Sequence, residues 1–500
     1  MANSEEAVIK KRTDKVKNWL RNKNHIILLV ILILAIFLRW HYFVQTNTQP
    51  LWYDEGDYLS TAKSWAYNIP YDLNEHRPPL FQFLAALAFM LNLGENFIRL
   101  FLVLLPSVIL VLCVYYLGKE MFDEKIALIA SFFMAVSWTL LFWTTRVQPD
   151  FFSLSFSVLS FLFMWKYWKN EKTKFAVYAG IFAALGFHFK VSGLLVPIIF
   201  MVFIFIKDRF LGFKNKNYYY FAISFLLVLV PYFIWSKLTF GTSTAFRSGY
   251  SNAIVNVSPF AWKALAYFKI LTDNITFILF IIGLVLALKF VLYLDVLVKD
   301  RKKCIEADLF AVLSLIIIWA FYIFYIRGIE DRWVFLGLPF IFFLVGRASM
   351  FIYNFVKKYN KGITAAIVIA LILFGGYLQY KQADPLIKSK STTYLPVKQA
   401  ALWMKDNSIS GDKILTISTT QTFYYAERQI LLYSEINESD FLPFIDKEKP
   451  KFLEVSVFEA HPSWINDWIN SNGDRLKIVQ AYFADIQKKQ PVLIIYEINY

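Results

Sequence analysis

The segment Trp52-Tyr53-Asp54-Glu55-Gly56-Asp57-Tyr58 sets adjacent carboxylates between aromatic residues, soon after an apolar stretch from Ile26 to Val44. A carboxylate beside a membrane is costly unless it is solvated or paired. Such a group can act as a general base, taking the proton of an acceptor hydroxyl as its oxygen attacks a sugar carbon. Asp54 and Glu55 are the candidates for that role. The plainer reading is a solvated acidic loop, since Asp-Glu pairs are common in loops.

Four cations stand at the ends of apolar blocks: Arg77, Arg146, Lys190 and Arg332. A leaving phosphate needs positive groups whose hold strengthens as charge develops on it. Guanidinium forks suit that task, and an ammonium serves as a point charge. A sugar phosphodiester carries one negative charge, so these side chains can suffice and no divalent metal or other cofactor is required. The competing reading is that each one snorkels to the interface. Asp150 can pair with Arg146 or position an acceptor. His76 can orient a neighbouring carboxylate, and neither it nor His188 has a further ligand at metal spacing. Glu330 and Asp331 can pair locally with Arg332. No Walker-type loop, His-Glu-x-x-His or Gly-x-Ser-x-Gly is present.

These residues must be held by membrane helices. The chain is 58% hydrophobic and 19% aromatic, and its apolar residues come in long blocks. About 20 apolar helical residues cross a bilayer core, and only helices or closed barrels satisfy their backbone there. The blocks predict spans at 25–44, 98–117, 126–144, 151–168, 175–188, 191–206, 218–236, 274–296, 307–326, 333–350 and 362–379. The block 79–93 is short. If it does not cross, the basic runs near 166–174, 207–216, 299–303 and 347–361 share one side with the basic residues of segment 1–24; if it crosses, the positive-inside rule fails throughout. We therefore expect a juxtamembrane or re-entrant helix at 79–93, about 11 spans, a cytoplasmic N-terminus and an extracytoplasmic C-terminus. The net charge of +15 belongs to these loops and does not call for nucleic acid. The two cysteines, Cys113 and Cys304, make no disulfide framework.

From about residue 380 the composition turns polar. Helical spacing at Val397–Lys405 and strand patterns at Lys413–Ser418, Phe452–Phe458 and Val492–Ile498 predict a small α/β domain over 380–500. The transmembrane region is 25–379, with the first outer loop, 45–97, as the expected catalytic segment.

In this order the motifs resemble the GT-C superfamily of integral-membrane glycosyltransferases, in the branch of the protein O-mannosyltransferases and the lipid A aminoarabinose transferases. The carrying residues are Asp54-Glu55, Arg77-Pro78-Pro79-Leu80, Phe97-Ile-Arg99-Leu100, Arg146-Val-Gln-Pro-Asp150, Gly186-Phe-His-Phe-Lys190 and Arg332-Trp-Val-Phe-Leu-Gly-Leu-Pro339. The resemblance implies a polyprenyl- or dolichyl-phosphate-linked sugar as donor and inverting transfer on the outer face. It implies Asp54 as base, Glu55 assisting, and Arg77 on the donor phosphate with Lys190 and Arg332. The acceptor is open among glycan, lipid and protein: Arg77 intervenes between His76 and the prolines, where the mannosyltransferase pattern begins His-Pro-Pro. Two other functions stay on the table, a transporter or flippase of lipid-linked sugars and an oligosaccharyltransferase-like enzyme with a pyrophosphate donor. The first normally carries internal repeats, and none is detectable.

Overall fold

The computed structural model describes residues 22–247, 260–289, 303–328, 330–483 and 490–500. The segment ahead of Asn22, the end of the expected span 274–296 and most of the basic run 299–303 lie outside them. Length and apolarity account for most of the helices. Among the described residues seven are long and apolar enough to cross a membrane, from Lys23–Thr46 to the one beginning at Lys361, and up to nine if each of two bent pairs is one span. Two further expected spans are the helices Asp150–Asn170 and Thr173–Phe189. Ser153, Ser155, Ser157 and Ser160 dilute the first, and the second is short. They pack against each other and against Lys216–Phe240. Gly180 permits that approach, because a Cβ there would lie 2.1 Å from Ser224 Oγ.

Helix Leu80–Met90 has 11 residues. At 1.5 Å per residue that is about half a bilayer core, too short to cross. It lies against helix Tyr53–Tyr67, where Phe81 meets Tyr58 edge-on.

The expected span 126–144 is broken. Helices Glu124–Val136 and Trp138–Thr144 meet at 49°, which leaves carbonyls of the first and N–H groups of the second without helical partners. Buried side chains from other helices satisfy them. Arg39 donates to the Ala135 and Met134 carbonyls at 2.9 and 3.2 Å and to Ser107 Oγ at 2.8 Å. Gln379 Oε1 accepts the Trp138 N–H at 3.0 Å, and its Nε2 donates to Asp273. A buried arginine inside a span thus has a definite task.

The C-terminal region builds a five-stranded sheet in the order β2-β1-β3-β5-β4. Its strands are β1 (Lys413–Leu415), β2 (Gln429–Leu431), β3 (Phe452–Ser456), β4 (Leu476–Phe483) and β5 (Pro491–Ile498). β1 runs parallel to β2 and β3, and β5 is antiparallel to β3 and β4. Alternation along β3 divides its side chains. Leu453 faces a core with Leu415, Phe441 and Trp468, while Phe452 joins the main core with Val397, Ala401 and Tyr424. The membrane helix that leads into this region runs unbroken from Lys361 to Lys390, and Leu395–Asp406 follows one turn later.

Candidate active site

The helix that carries the acidic motif, Tyr53–Tyr67, begins where Glu55 reaches back to accept the Trp52 N–H at 2.7 Å. This is the glutamate half of a capping box, and it commits Glu55 to the helix start. Glu55 also accepts from the Val147 N–H at 2.5 Å and lies 3.4 Å from Arg146 Nη1. Both partners are fully buried, Glu55 at 0% and Arg146 at 1% exposure. Arg146 further donates to the carbonyls of Pro50 and Lys390 and stacks 4.0 Å from the centre of the Trp52 ring. Burial pulls its pKa down to about 10 against the opposing pull of Glu55. The pair is an internal brace, set back from any open space.

Asp54, one residue earlier, points the other way. Arg77 donates to its Oδ1 at 2.8 Å, and Arg332 is paired with Oδ2. Burial works to raise the Asp54 pKa, but Arg77 and Arg332 outweigh it and hold the carboxyl well below the usual carboxylate range. Arg77 also bonds Asp57 at 2.5 Å and stacks on Tyr58 at 4.2 Å. Asp57 accepts from Tyr71 and Asn74 as well. Arg332 has a second carboxylate in Glu330 at 2.8 Å, and its guanidinium lies 4.9 Å from the centre of the Trp143 ring.

Asp54 and Arg332 line a cavity of about 440 Å³ with Trp52, Tyr53, Trp143 and Gln148. The far wall comes from the segment between the last membrane helix and the sheet domain: Lys390, Thr393 and Tyr394. Arg332 is shared with a smaller recess formed with Asp150, Lys190 and Ser192. There Lys190 is paired with Asp150, whose second oxygen is buried without a hydrogen-bond partner. Arg332 is therefore the partition between a roomy space on Asp54 and a cationic recess on Lys190.

The structure thus brings Asp54, Arg77 and Arg332 into direct contact, with Lys190 and Asp150 across Arg332. His188 stands apart: its Nε2 donates to the Val228 carbonyl at 2.7 Å, beside an apolar groove with Leu80, Phe83 and Trp235. His76 lies on the turn before Arg77, and burial together with Arg77 pushes its imidazole below its ordinary pKa. Asp150 pairs with Lys190 in place of the expected Arg146. Asp57 is the partner of Arg77 that the spacing alone did not single out. Gln148, Lys390, Thr393 and Tyr394 were also missed, the last three because they arrive from some 340 residues away. Among the described residues no group of three or more His, Cys, Asp or Glu side chains is gathered to hold a metal ion.

Residues 76–235 match the family model described as dolichyl-phosphate-mannose-protein mannosyltransferase. A sequence search of curated proteins finds no match. Among solved structures the chain resembles ArnT from Cupriavidus metallidurans bound to undecaprenyl phosphate, at TM-score 0.66 and 12% identity over 93% of this chain and 97% of that one. It resembles the apo oligosaccharyltransferase of Archaeoglobus fulgidus at TM-score 0.65 and 13% identity, over 88% of this chain and 70% of that one. The mycobacterial arabinofuranosyltransferase AftD follows at 0.54 and 12%, over 94% of this chain and 41% of that one. The fold is that of the GT-C integral-membrane glycosyltransferases, and the chain is a multi-pass membrane protein.

Proposed function

We propose that this protein is an inverting glycosyltransferase that moves a sugar from a polyprenyl- or dolichyl-phosphate-linked donor to an acceptor hydroxyl on the outer face of the membrane. The observation that carries the reading is Asp54, with each oxygen held by a different arginine, at the edge of an open cavity. The family model over 76–235 and the ArnT structure bound to undecaprenyl phosphate support a lipid-phosphate donor. On this reading residues 25–379 are the membrane unit and 380–500 an extracytoplasmic domain, with the N-terminus cytoplasmic.

The steps balance with this chain's own groups. The acceptor hydroxyl gives its proton to Asp54 as its oxygen bonds to the anomeric carbon. The bond from that carbon to the phosphate oxygen breaks, and its electron pair leaves with the phosphate. Arg332 and Lys190, on either side of the recess, take up the developing charge. Arg332 must then exchange Asp54 for phosphate. Losing that partner raises the basicity of Asp54 as the donor seats, which brings it closer to what a base needs. Arg77 holds Asp54 in place from its other oxygen. Glu55 and Arg146 brace the loop, and the mechanism uses neither on the reacting atoms. One phosphodiester charge is matched by these cations, so the reaction as drawn needs no divalent metal.

The test is turnover of a radiolabelled polyprenyl-phosphate sugar by the purified protein, with and without EDTA. The expected result is transfer or release that survives EDTA and falls by at least roughly 10²–10⁴-fold in Asp54→Asn. Undiminished turnover in Asp54→Asn sinks the mechanism, and loss in EDTA removes the metal-free form of it.

A further inference from the structure

The sheet domain reaches across to the helix that bears Asp54. Its own helix Thr419–Ala426 lies on helix Tyr53–Tyr67, and Thr420 sits at the contact. The Thr420 hydroxyl proton is shared between the Tyr53 carbonyl, one residue before Asp54, and Gln421 Oε1, both 2.9 Å away. The Thr420 carbonyl accepts from Ser60 Oγ at 2.8 Å. Gly56 makes this possible: a Cβ there would stand 2.8 Å from Thr420 Oγ1 and 3.0 Å from its carbonyl carbon. Two further ties flank the contact. Tyr425 Oη accepts the Leu51 N–H at 3.0 Å, and Lys63 bonds the Tyr424 carbonyl at 2.8 Å and Glu427 at 2.6 Å.

Asp54 lies in the first turn of its helix, where backbone restraint is weakest. Its carboxylate is fixed by two arginines, and one of them, Arg332, borders the recess where a phosphate would draw it away. A base displaced by about 1 Å loses on the order of 10²-fold in rate. With the donor seated, Arg77 alone still holds the carboxylate, through Oδ1, and the backbone that carries it needs a restraint of its own.

We propose that Thr420 is a positioning residue: through its bond to the Tyr53 carbonyl over Gly56, the C-terminal domain holds the register of Asp54 while Arg332 is engaged with the donor phosphate. The proposal rests on the glycosyltransferase reading above. It assigns the domain a part in the chemical step, beyond covering the membrane unit.

The experiment compares full-length wild type, Thr420→Val, Thr420→Ser and Gly56→Ala in nanodiscs. The probes are the radiolabelled polyprenyl-phosphate sugar for turnover and undecaprenyl phosphate alone for hydrogen–deuterium exchange of residues 53–60. Thr420→Val is expected to lower kcat by about 10–100-fold with donor KM and Tm unchanged, and Thr420→Ser to restore most of it. Added undecaprenyl phosphate should deprotect the 53–57 amides in Thr420→Val and not in wild type. Gly56→Ala, which presses on the same contact, should repeat both effects. Wild-type kcat in Thr420→Val, a loss that follows Tm or donor KM, a serine variant as poor as valine, or unchanged exchange in Thr420→Val would each overturn it. Failure of the glycosyltransferase reading appears separately, as absent turnover in wild type or retained turnover in Asp54→Asn. In either case the exchange arm still decides whether Thr420 restrains residues 53–57, while the role in positioning a base falls with that reading.

Discussion

At the scale of single residues, Asp54 and Glu55 are neighbours in sequence with opposite fates. Asp54 faces the cavity between Arg77 and Arg332; Glu55 is fully buried on Val147, Trp52 and Arg146. Their substitutions should therefore separate. Glu55→Gln leaves a buried guanidinium without its counter-charge and is expected to destabilise by roughly 2–4 kcal/mol. Thermal unfolding in detergent should record that loss, with kcat per folded molecule much less affected than in Asp54→Asn. Arg332→Gln should act on pH dependence. The two arginines depress the Asp54 pKa, so the proposed base stays ionised far into acid, and activity is expected to be lost only as pH falls through that low value. Removing Arg332 raises the Asp54 pKa toward the ordinary carboxylate range near 4. The acid limb of kcat/KM is then expected to move to higher pH, together with a lower kcat from the lost phosphate partner. A limb that stays put would show that Arg332 does not set the charge state of Asp54.

At the scale of elements, the break between Glu124–Val136 and Trp138–Thr144 shows how an irregular backbone is kept inside a membrane. It is tolerated where protein groups satisfy the freed carbonyls and N–H groups. Arg39 does so on one side and Gln379 on the other. The second half of the broken helix carries Trp143 and leads to Gln148, both on the cavity wall. The bend thus helps shape the site. Arg39→Leu or Gln379→Leu leaves buried polar backbone unpaired, at about 1–3 kcal/mol per group. Each is expected to lower the thermal midpoint in detergent, and Arg39→Lys, with no fork to span two carbonyls, should recover only part of it.

At the scale of the whole molecule, the sheet domain is joined to the membrane unit by the cavity wall at Lys390–Tyr394 and by the Thr420 contact. Its stability bears on the site. Glu454 on β3 is buried at 1% exposure and accepts from Thr422 Oγ1 at 2.9 Å. Burial pushes its pKa up to about 7, with the Thr422 and Thr416 hydroxyls opposing. A carboxyl raised in the folded state stabilises fully below its unfolded value, and that contribution is lost as pH rises through the folded value. The domain should therefore weaken between about pH 4.5 and 7 by roughly 2–3 kcal/mol from this group. Glu454→Gln, which cannot ionise, should remove that slope and raise the midpoint at pH 8 relative to wild type. Unfolding followed at pH 5 and pH 8 decides it, and a slope retained in the variant would assign it to other groups.

Runs of apolar residues by themselves determined that the chain is a bundle of membrane helices, because a bilayer admits little else. The shortness of 79–93 foretold a helix too short to cross a bilayer core, Leu80–Met90. The change of composition near residue 380 marked a different kind of domain, and the order of Asp54, Arg77, Lys190 and Arg332 pointed to phosphate and sugar chemistry. These features are local or periodic, so a linear text carries them. Which carboxylate faces open space was not of that kind. Asp54 and Glu55 have the same chemistry and differ by about 100° around one helix, and only the packing of Val147 and Arg146 against one of them separates them. Nor could spacing disclose that Arg146 is a brace, that Asp150 pairs with Lys190, or that Thr420 meets Gly56. Those partners lie 40 to 364 residues apart, and their meeting depends on how helices and sheet pack. The acidic loop was legible in the sequence; its division into one carboxylate that faces a cavity and one that is buried is the work of the tertiary structure.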